Sequence, residues 1–299
     1  MDDARIFHVN VNCSDLERSR AFYARALGLD PVVRTTPDAV QPGAAFGLSR
    51  AWWDAWILVG GRGFDGGAID LLEWREPRPA GAPPRSLLEC GYQRVGIAVA
   101  DLDAVLEEVT VTGGTVWSVP APHELTGGGR VRLVMANDPD GTAIELVEGE
   151  AGPRLAFVAV CCADLEYSLA FYRALGFEER ARYASDNADG SHLHVDGPVA
   201  MDEIMLSAPA GGDVGLVLVG WRVPAHRTGT ERPANTLGIW RTALVVADLD
   251  EACARLAALQ IPTLAPIVAM AMGDGLPVLR FVCFRGPDGE VIELIEQPR

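Results

Sequence analysis

From Arg5 the chain reads "RIFHVNVN", with apolar residues at alternate positions, and then "SDLERSRAFY", where Leu16, Phe22 and Tyr23 recur at helical spacing. The first pattern predicts a half-buried strand and the second a helix that starts at Asp15, whose short carboxylate suits an N-cap. The same sentence is written again at "RLAFVAVCCADLEYSLAFY", which sets Phe157 against His8 and Asp164 against Asp15. Two further copies, "GYQRVGIAVADLDAV" from Gly91 and "GIWRTALVVADLDEA" from Gly238, keep the strand, the capping Asp and the helix start. Each copy is followed by a closing strand: "AIDLLEW" at Ala68, "AIELVEG" at Ala143, "GLVLVGW" at Gly215 and "VIELIEQ" at Val291. Two of these follow tight turns, "DPDG" at Asp138 and "GPDG" at Gly286.

The chain is therefore a fourfold repeat of strand, helix and three strands. A βαβββ module leaves one sheet face bare, so modules must pair to bury it, and the expected fold is α+β with four modules in two domains whose cupped mixed sheets enclose cavities. The domains are expected over 1–150 and 151–299, with the boundary in "EGEAGPR" (148–154), where Gly, Pro and charge interrupt the pattern. Two pairings stay open: modules 1 with 2 and 3 with 4, or 1 with 4 and 2 with 3.

Composition narrows the class. The chain has 299 residues, 49% of them hydrophobic and 22% charged, as expected of a folded globular protein. Its formal net charge of -16 argues against nucleic acid and anionic membrane surfaces as partners. No apolar run is long enough to span a bilayer and "MDDARIF" lacks the basic-then-apolar order of a leader, so a cytoplasmic location is expected. The six cysteines form no CxxC pair and sit in apolar runs, where they read as small buried hydrophobes. All 25 basic residues are arginine, which excludes Schiff-base chemistry on a lysine.

The "DLERSRAFY" and "DPDGTAIELVE" stretches resemble the vicinal oxygen chelate superfamily, which includes glyoxalase I, extradiol dioxygenases, fosfomycin-resistance transferases and bleomycin-binding proteins. The resemblance covers nearly the whole chain. It implies that ligands to a divalent metal, where one is used, come from the first strand seven residues before the Asp of "DL" and from the acidic position of the closing strand. In this sequence those positions hold His8, Arg94, Phe157 and Arg241, and Asp70, Glu145, Val217 and Glu293.

A guanidinium is always charged, has no lone pair to give and repels a cation, so arginine at such a position argues against metal. The sequence reading is that no metal or other cofactor is used and that Arg94 and Arg241 form bidentate ion pairs with Glu145 and Glu293 in its place. A metal held by His8, Asp70, Glu145 and Glu293 is the residual alternative. One cavity then keeps a polar quartet, marked by His8, while the other is half apolar, marked by Phe157 and Val217.

On this reading His8, Asp70, Arg94 and Arg241 are the catalytic candidates. Glu145, Glu293, Phe157, the "WWDAW" residues Trp52, Trp53 and Trp56, and Trp240 are candidates for lining a pocket. His192 and His194 in "SHLHV" are placed on one face of a strand, the "GGG" at Gly127 is read as a hairpin turn, and Tyr23 and Tyr172 are read as packing.

The expected function is a metal-independent enzyme that acts on a small organic molecule, of isomerase, cyclase or lyase type, as in secondary metabolism. The alternative is a protein that binds and sequesters a small molecule or antibiotic. A metal-dependent dioxygenase or glyoxalase-type enzyme is third. With four modules in one chain, a monomer or a weak homodimer is expected.

Overall fold

The computed structural model describes residues 1–124, 130–149 and 152–297; the glycines at 127–129 lie outside the described residues. Module 1 consists of β1 (Arg5–Asn12), α1 (Leu16–Arg25), β2 (Asp30–Thr35), β3 (Gln41–Pro42), β4 (Arg50–Val59) and β5 (Ala68–Glu76). Module 2 follows with β6 (Gly91–Val99), α2 (Leu102–Val111), β7 (Thr115–Val116), β8 (Ala121–Glu124), β9 (Arg130–Asn137) and β10 (Ala143–Glu148). Module 3 comprises β11 (Arg154–Cys161), α3 (Leu165–Ala174), β12 (Glu178–Asp189), β13 (Pro198–Ser207) and β14 (Gly215–Val223). Module 4 closes the chain with β15 (Gly238–Val246), α4 (Leu249–Ala258), β16 (Val268–Met270), β17 (Leu279–Arg285) and β18 (Val291–Glu296).

The repeat is physical as well as textual. Asp15, Asp101, Asp164 and Asp248 each hold extended backbone at a helix N-cap, and each carboxylate accepts from the N–H three residues on, at 2.9, 3.1, 3.0 and 2.9 Å. Each cap satisfies one of the helix's orphan donors and fixes where the strand ends. In α1 the buried Leu16, Ser19, Phe22 and Tyr23 turn one stripe to the sheet.

Among the described residues two nine-stranded sheets result. In the first, β1 runs antiparallel to β15, each flanked by its own module's closing strand in parallel, β5 and β18. In the second, β6 and β11 are antiparallel neighbours, flanked by β10 and β14. Module 1 therefore pairs with module 4, and module 2 with module 3. Each half of the sequence contributes one module to each sheet.

The connections explain this choice. The short stretch between β10 and β11 keeps modules 2 and 3 in one sheet. The longer segments 77–90 and 224–237 cross between sheets and pair with each other: Arg227 N–H donates to Leu88 O at 2.6 Å, Cys90 N–H to Arg227 O at 3.0 Å, and Ala80 N–H to Asn235 O at 3.0 Å. Short connections favour neighbours, and these crossovers satisfy their own backbone groups.

One apolar core, drawn from all four modules, lies on the helical side of both sheets; Val9, Tyr23, Val95, Val158, Tyr172 and Leu244 belong to it. Each concave face has its own smaller cluster, one around Phe46, Trp53, Trp74 and Trp240, the other around Leu87, Leu88, Phe157 and Trp221. Among the described residues no helix is long and apolar enough to cross a membrane.

Candidate active site

Alternation along β1 sends Val9 and Val11 to the helical core and leaves His8, Asn10 and Asn12 on the concave face, all buried. In parallel register beside them, β5 presents Asp70 from the position paired with Asn10. Across the antiparallel seam β15 pairs Arg241 with the same Asn10, and β18 brings Glu293 alongside. The pairing of the first and fourth modules thus delivers His8, Asp70, Arg241 and Glu293 to one spot.

Their geometry is an ion-pair lattice centred on Arg241. Its Nε donates to Glu293 Oε2 at 2.8 Å and its Nη2 donates to Asp70 Oδ2 at 2.7 Å. Asn10 Nδ2 adds a donor to the Asp70 main-chain oxygen at 3.1 Å and to Oδ2 at 3.3 Å. His8 Nε2 lies 3.6 Å from Glu293 Oε2 and 3.7 Å from Asp70 Oδ2, beyond hydrogen-bond length. Both His8 ring nitrogens and Arg241 Nη1 are buried without a hydrogen-bond partner. Burial opposes charge on the guanidinium, but Glu293 and Asp70 outweigh it and hold the Arg241 pKa above the ordinary arginine value. Burial likewise opposes ionisation of Glu293, yet Arg241 and His8 hold its carboxyl below the usual range.

The sequence reading of a bidentate Arg–Glu pair is corrected here. Each fork is split between two carboxylates rather than matched to one. In the first sheet the second carboxylate is Asp70. In the second sheet Arg94 Nε donates to Glu145 Oε2 at 2.6 Å and Nη2 to Glu203 Oε1 at 2.7 Å, while Nη1 donates to Gln93 Oε1. Glu203, on β13, supplies the charge that Val217 lacks.

These placements divide the candidate residues. Arg94 and Glu145 belong to the second sheet and take no part in the His8 site. Phe157 also belongs there. Its ring lies over Arg94, 5.8 Å from the guanidinium carbon, and fills the space above Gly96, where a Cβ would stand 2.2 Å from the ring. Leu87, Leu88, Val195 and Trp221 close over it, so this concave face is packed with side chains.

The first concave face instead holds a cavity of about 180 Å³, with His8, Asp70, Arg241 and Glu293 at its polar floor. Its walls are apolar and include Phe7, Phe46, Trp53, Ile57, Leu276 and Phe281. Of the three clustered tryptophans only Trp53 lines it. Trp56 packs toward the helical core, and Trp52 lies exposed with its indole donating to Pro37 O at 2.9 Å. Trp240 flanks Arg241, with ring centroid and guanidinium carbon 5.8 Å apart, but lines a separate cleft between the sheets.

Sequence reasoning missed Phe46, Asn10 and Glu203. Asn10 was accessible, being two residues along the strand from His8. Phe46 sits in a 3-10 turn (Ala44–Phe46) inside an aperiodic loop, and no signal would have found it. The histidines of "SHLHV" do not share a strand face: Gly190–Leu193 is a 3-10 turn, His194 adopts left-handed backbone with φ 53°, and its ring stacks on Trp117 at 4.3 Å. Tyr23 and Tyr172 are buried as read, and each also donates a hydrogen bond, to Asp138 and Glu290.

A paired-module α+β fold with one polar quartet on a cupped sheet defines the class. The chain matches the model of the Glyoxalase/Bleomycin resistance protein/Dioxygenase superfamily over residues 5–146 and again over 154–294, and it belongs to that superfamily. Among curated relatives it is 27% identical over 180 residues to a probable chloroplastic lactoylglutathione lyase of Arabidopsis thaliana, covering 59% of this chain but only 45% of that protein. It is 25% identical over 153 residues to a probable lactoylglutathione lyase of Vibrio cholerae, covering 50% of this chain and 94% of that one. Glyoxalase I from Zea mays superposes with a TM-score of 0.67 at 19% identity over 98% of this chain and 92% of its own, a likeness of fold.

The fold family implies a divalent metal at this spot, and the donor set does not fit one. Three of the four positions hold donors, but the fourth is a guanidinium bonded to the same carboxylate oxygens, Asp70 Oδ2 and Glu293 Oε2, that face His8. A cation there would meet a fixed positive charge at contact distance. Among the described residues no group of three or more His, Cys, Asp or Glu side chains is arranged to hold a metal ion. The residual ligand set of the sequence reading is also divided, since Glu145 lies in the other sheet.

Proposed function

We propose that the protein is a metal-independent enzyme that moves a proton on a small organic molecule held over the His8–Arg241 floor. The observation that carries this reading is the split fork of Arg241, which occupies both carboxylates and leaves His8 beside them with unpartnered nitrogens.

The chemistry follows from the positions. A substrate with a hydrogen on the carbon next to a carbonyl would set its oxygen at Arg241 Nη1, the one guanidinium nitrogen with no partner. His8 Nε2 then takes the proton from carbon, and the electron pair moves into the carbonyl oxygen, which accepts the Nη1 hydrogen bond more strongly as its charge grows. An imidazolium formed in this way lies between Asp70 and Glu293, at 3.7 and 3.6 Å, and is stabilised by both. Return of the proton to a different atom gives isomerisation, whereas expulsion of a leaving group from the next carbon, with the proton passed to that group, gives elimination. Such a general base contributes roughly 10² to 10⁴ in rate.

Sequestration is the second reading, favoured by the apolar walls of the cavity. The two separate on one substitution. As an enzyme, His8→Ala folds normally and loses turnover by at least about tenfold; as a binding protein, the same variant retains its full function.

A further inference from the structure

The cavity's size, walls and charge define what it can hold. Its volume is about 180 Å³, below the roughly 300–1,000 Å³ of sites that take drug-sized ligands. An apolar cavity of about 150 Å³ is enough to bind benzene. Phe7, Phe46, Trp53, Ile57 and Phe281 wall it with hydrocarbon, so a flat apolar body fits and a chain of amides does not. At the floor one guanidinium faces two carboxylates, and each of its bonded nitrogens is already spent on one of them. A full negative charge on a ligand would enter a buried site where carboxylates already outnumber arginine, at the cost of its hydration.

The guanidinium keeps one donor without an acceptor. Arg241 Nη1 is buried and unpartnered, and an unmet donor of this kind is destabilising until an acceptor reaches it. A single neutral oxygen supplies that acceptor without adding charge.

We propose, building on the function above, that the ligand of this cavity is an uncharged molecule about the size of one aromatic ring bearing a carbonyl-type oxygen. The site is closed to anionic tripeptide conjugates such as the one named in its relatives, lactoylglutathione, which carries two carboxylates and one ammonium at neutral pH.

Titration of the full-length protein with acetophenone, benzoate, toluene and S-lactoylglutathione, followed by calorimetry and tryptophan fluorescence, tests this. Acetophenone is expected to saturate the site at least about tenfold more tightly than benzoate or S-lactoylglutathione, a difference of about 1.4 kcal/mol, and more tightly than toluene. Filling the cavity with Ile57→Trp, or from the loop with Leu276→Trp should the first variant fail to fold, is expected to abolish acetophenone binding. Benzoate or S-lactoylglutathione binding as tightly as acetophenone, toluene binding equally well, or no saturable acetophenone binding would overturn the assignment. The preference rests on volume and charge and persists in His8→Ala, whereas the proposed proton transfer does not, so failure of one is distinguishable from failure of the other.

Discussion

Arg241 Nη2 and Asp70 Oδ2 stand 2.7 Å apart across the seam between the fourth module and the first, both almost fully buried. This contact joins residues from opposite ends of the chain and fixes the charge at the floor of the cavity. Removing Asp70 leaves Nη2 without an acceptor while Nε keeps Glu293 at 2.8 Å, and an orphaned buried donor costs about 1–3 kcal/mol. Asp70→Ala is therefore expected to destabilise the protein by that order in chemical denaturation, and an equal substitution at an exposed acid such as Asp103 is expected to cost less than about 1 kcal/mol.

The second sheet carries the opposite prediction. Gly96 lies under the ring of Phe157, and a Cβ at Gly96 would meet that ring at 2.2 Å. Gly96→Ala forces the packed face apart and is expected to cost about 1–3 kcal/mol. Phe157→Ala removes the filling ring and is expected to cost about 3–5 kcal/mol. Ligand binding in the first cavity, measured at a temperature where both variants remain folded, is expected to be unchanged, because their concave faces belong to different sheets.

What could be read in advance divides along a physical line. The modules, their capping aspartates and the asymmetry between His8 and Phe157 were legible because each is local, set by a period of two or 3.6 and a short cap. The pairing of modules was not. It depends on how segments 77–90 and 224–237 hydrogen-bond to each other, a contact between stretches whose sequences show no periodicity. Glu203 escaped for the same reason: its approach to Arg94 is decided by the register of β13 against β14. The tryptophans were over-read. Trp52 and Trp56 have the parity of Asp54, on the face away from the cavity, and alternation alone separates them from Trp53.

Two buried carboxyls make stability depend on pH. Burial, with Asp140 nearby, raises Asp138 to about 6 against hydrogen bonds from Thr142, and burial, with Asp288 nearby, raises Glu290 to about 7. Both folded values lie above the ordinary 3.8 and 4.5, so the folded state binds these protons more tightly than the unfolded chain. Their contribution is full below about pH 4 and is lost as pH rises through about 6 and 7. Glu290→Gln keeps a neutral side chain beside Tyr172 at every pH. Relative to the parent, its melting temperature is expected to improve by at least about 2–4 °C between pH 5 and pH 8, and a difference that is constant or falls would refute the assignment.

Exchanging the guanidinium for a ligand should restore what the fold family implies. Arg241→His places a second imidazole beside His8, Asp70 and Glu293, a donor set suited to a divalent ion. This variant is expected to bind one nickel or zinc ion per chain in equilibrium dialysis, at least about a hundredfold more tightly than the parent, and equal affinity in the two would show that Arg241 does not block the site.

The most direct measurement is anomalous diffraction from crystals of the unaltered protein soaked in manganese or zinc. The account predicts density for the Arg241 guanidinium bridging Asp70 and Glu293 with no anomalous peak beside His8. An ion coordinated by His8, Asp70 and Glu293, with Arg241 turned away from both carboxylates, would contradict it.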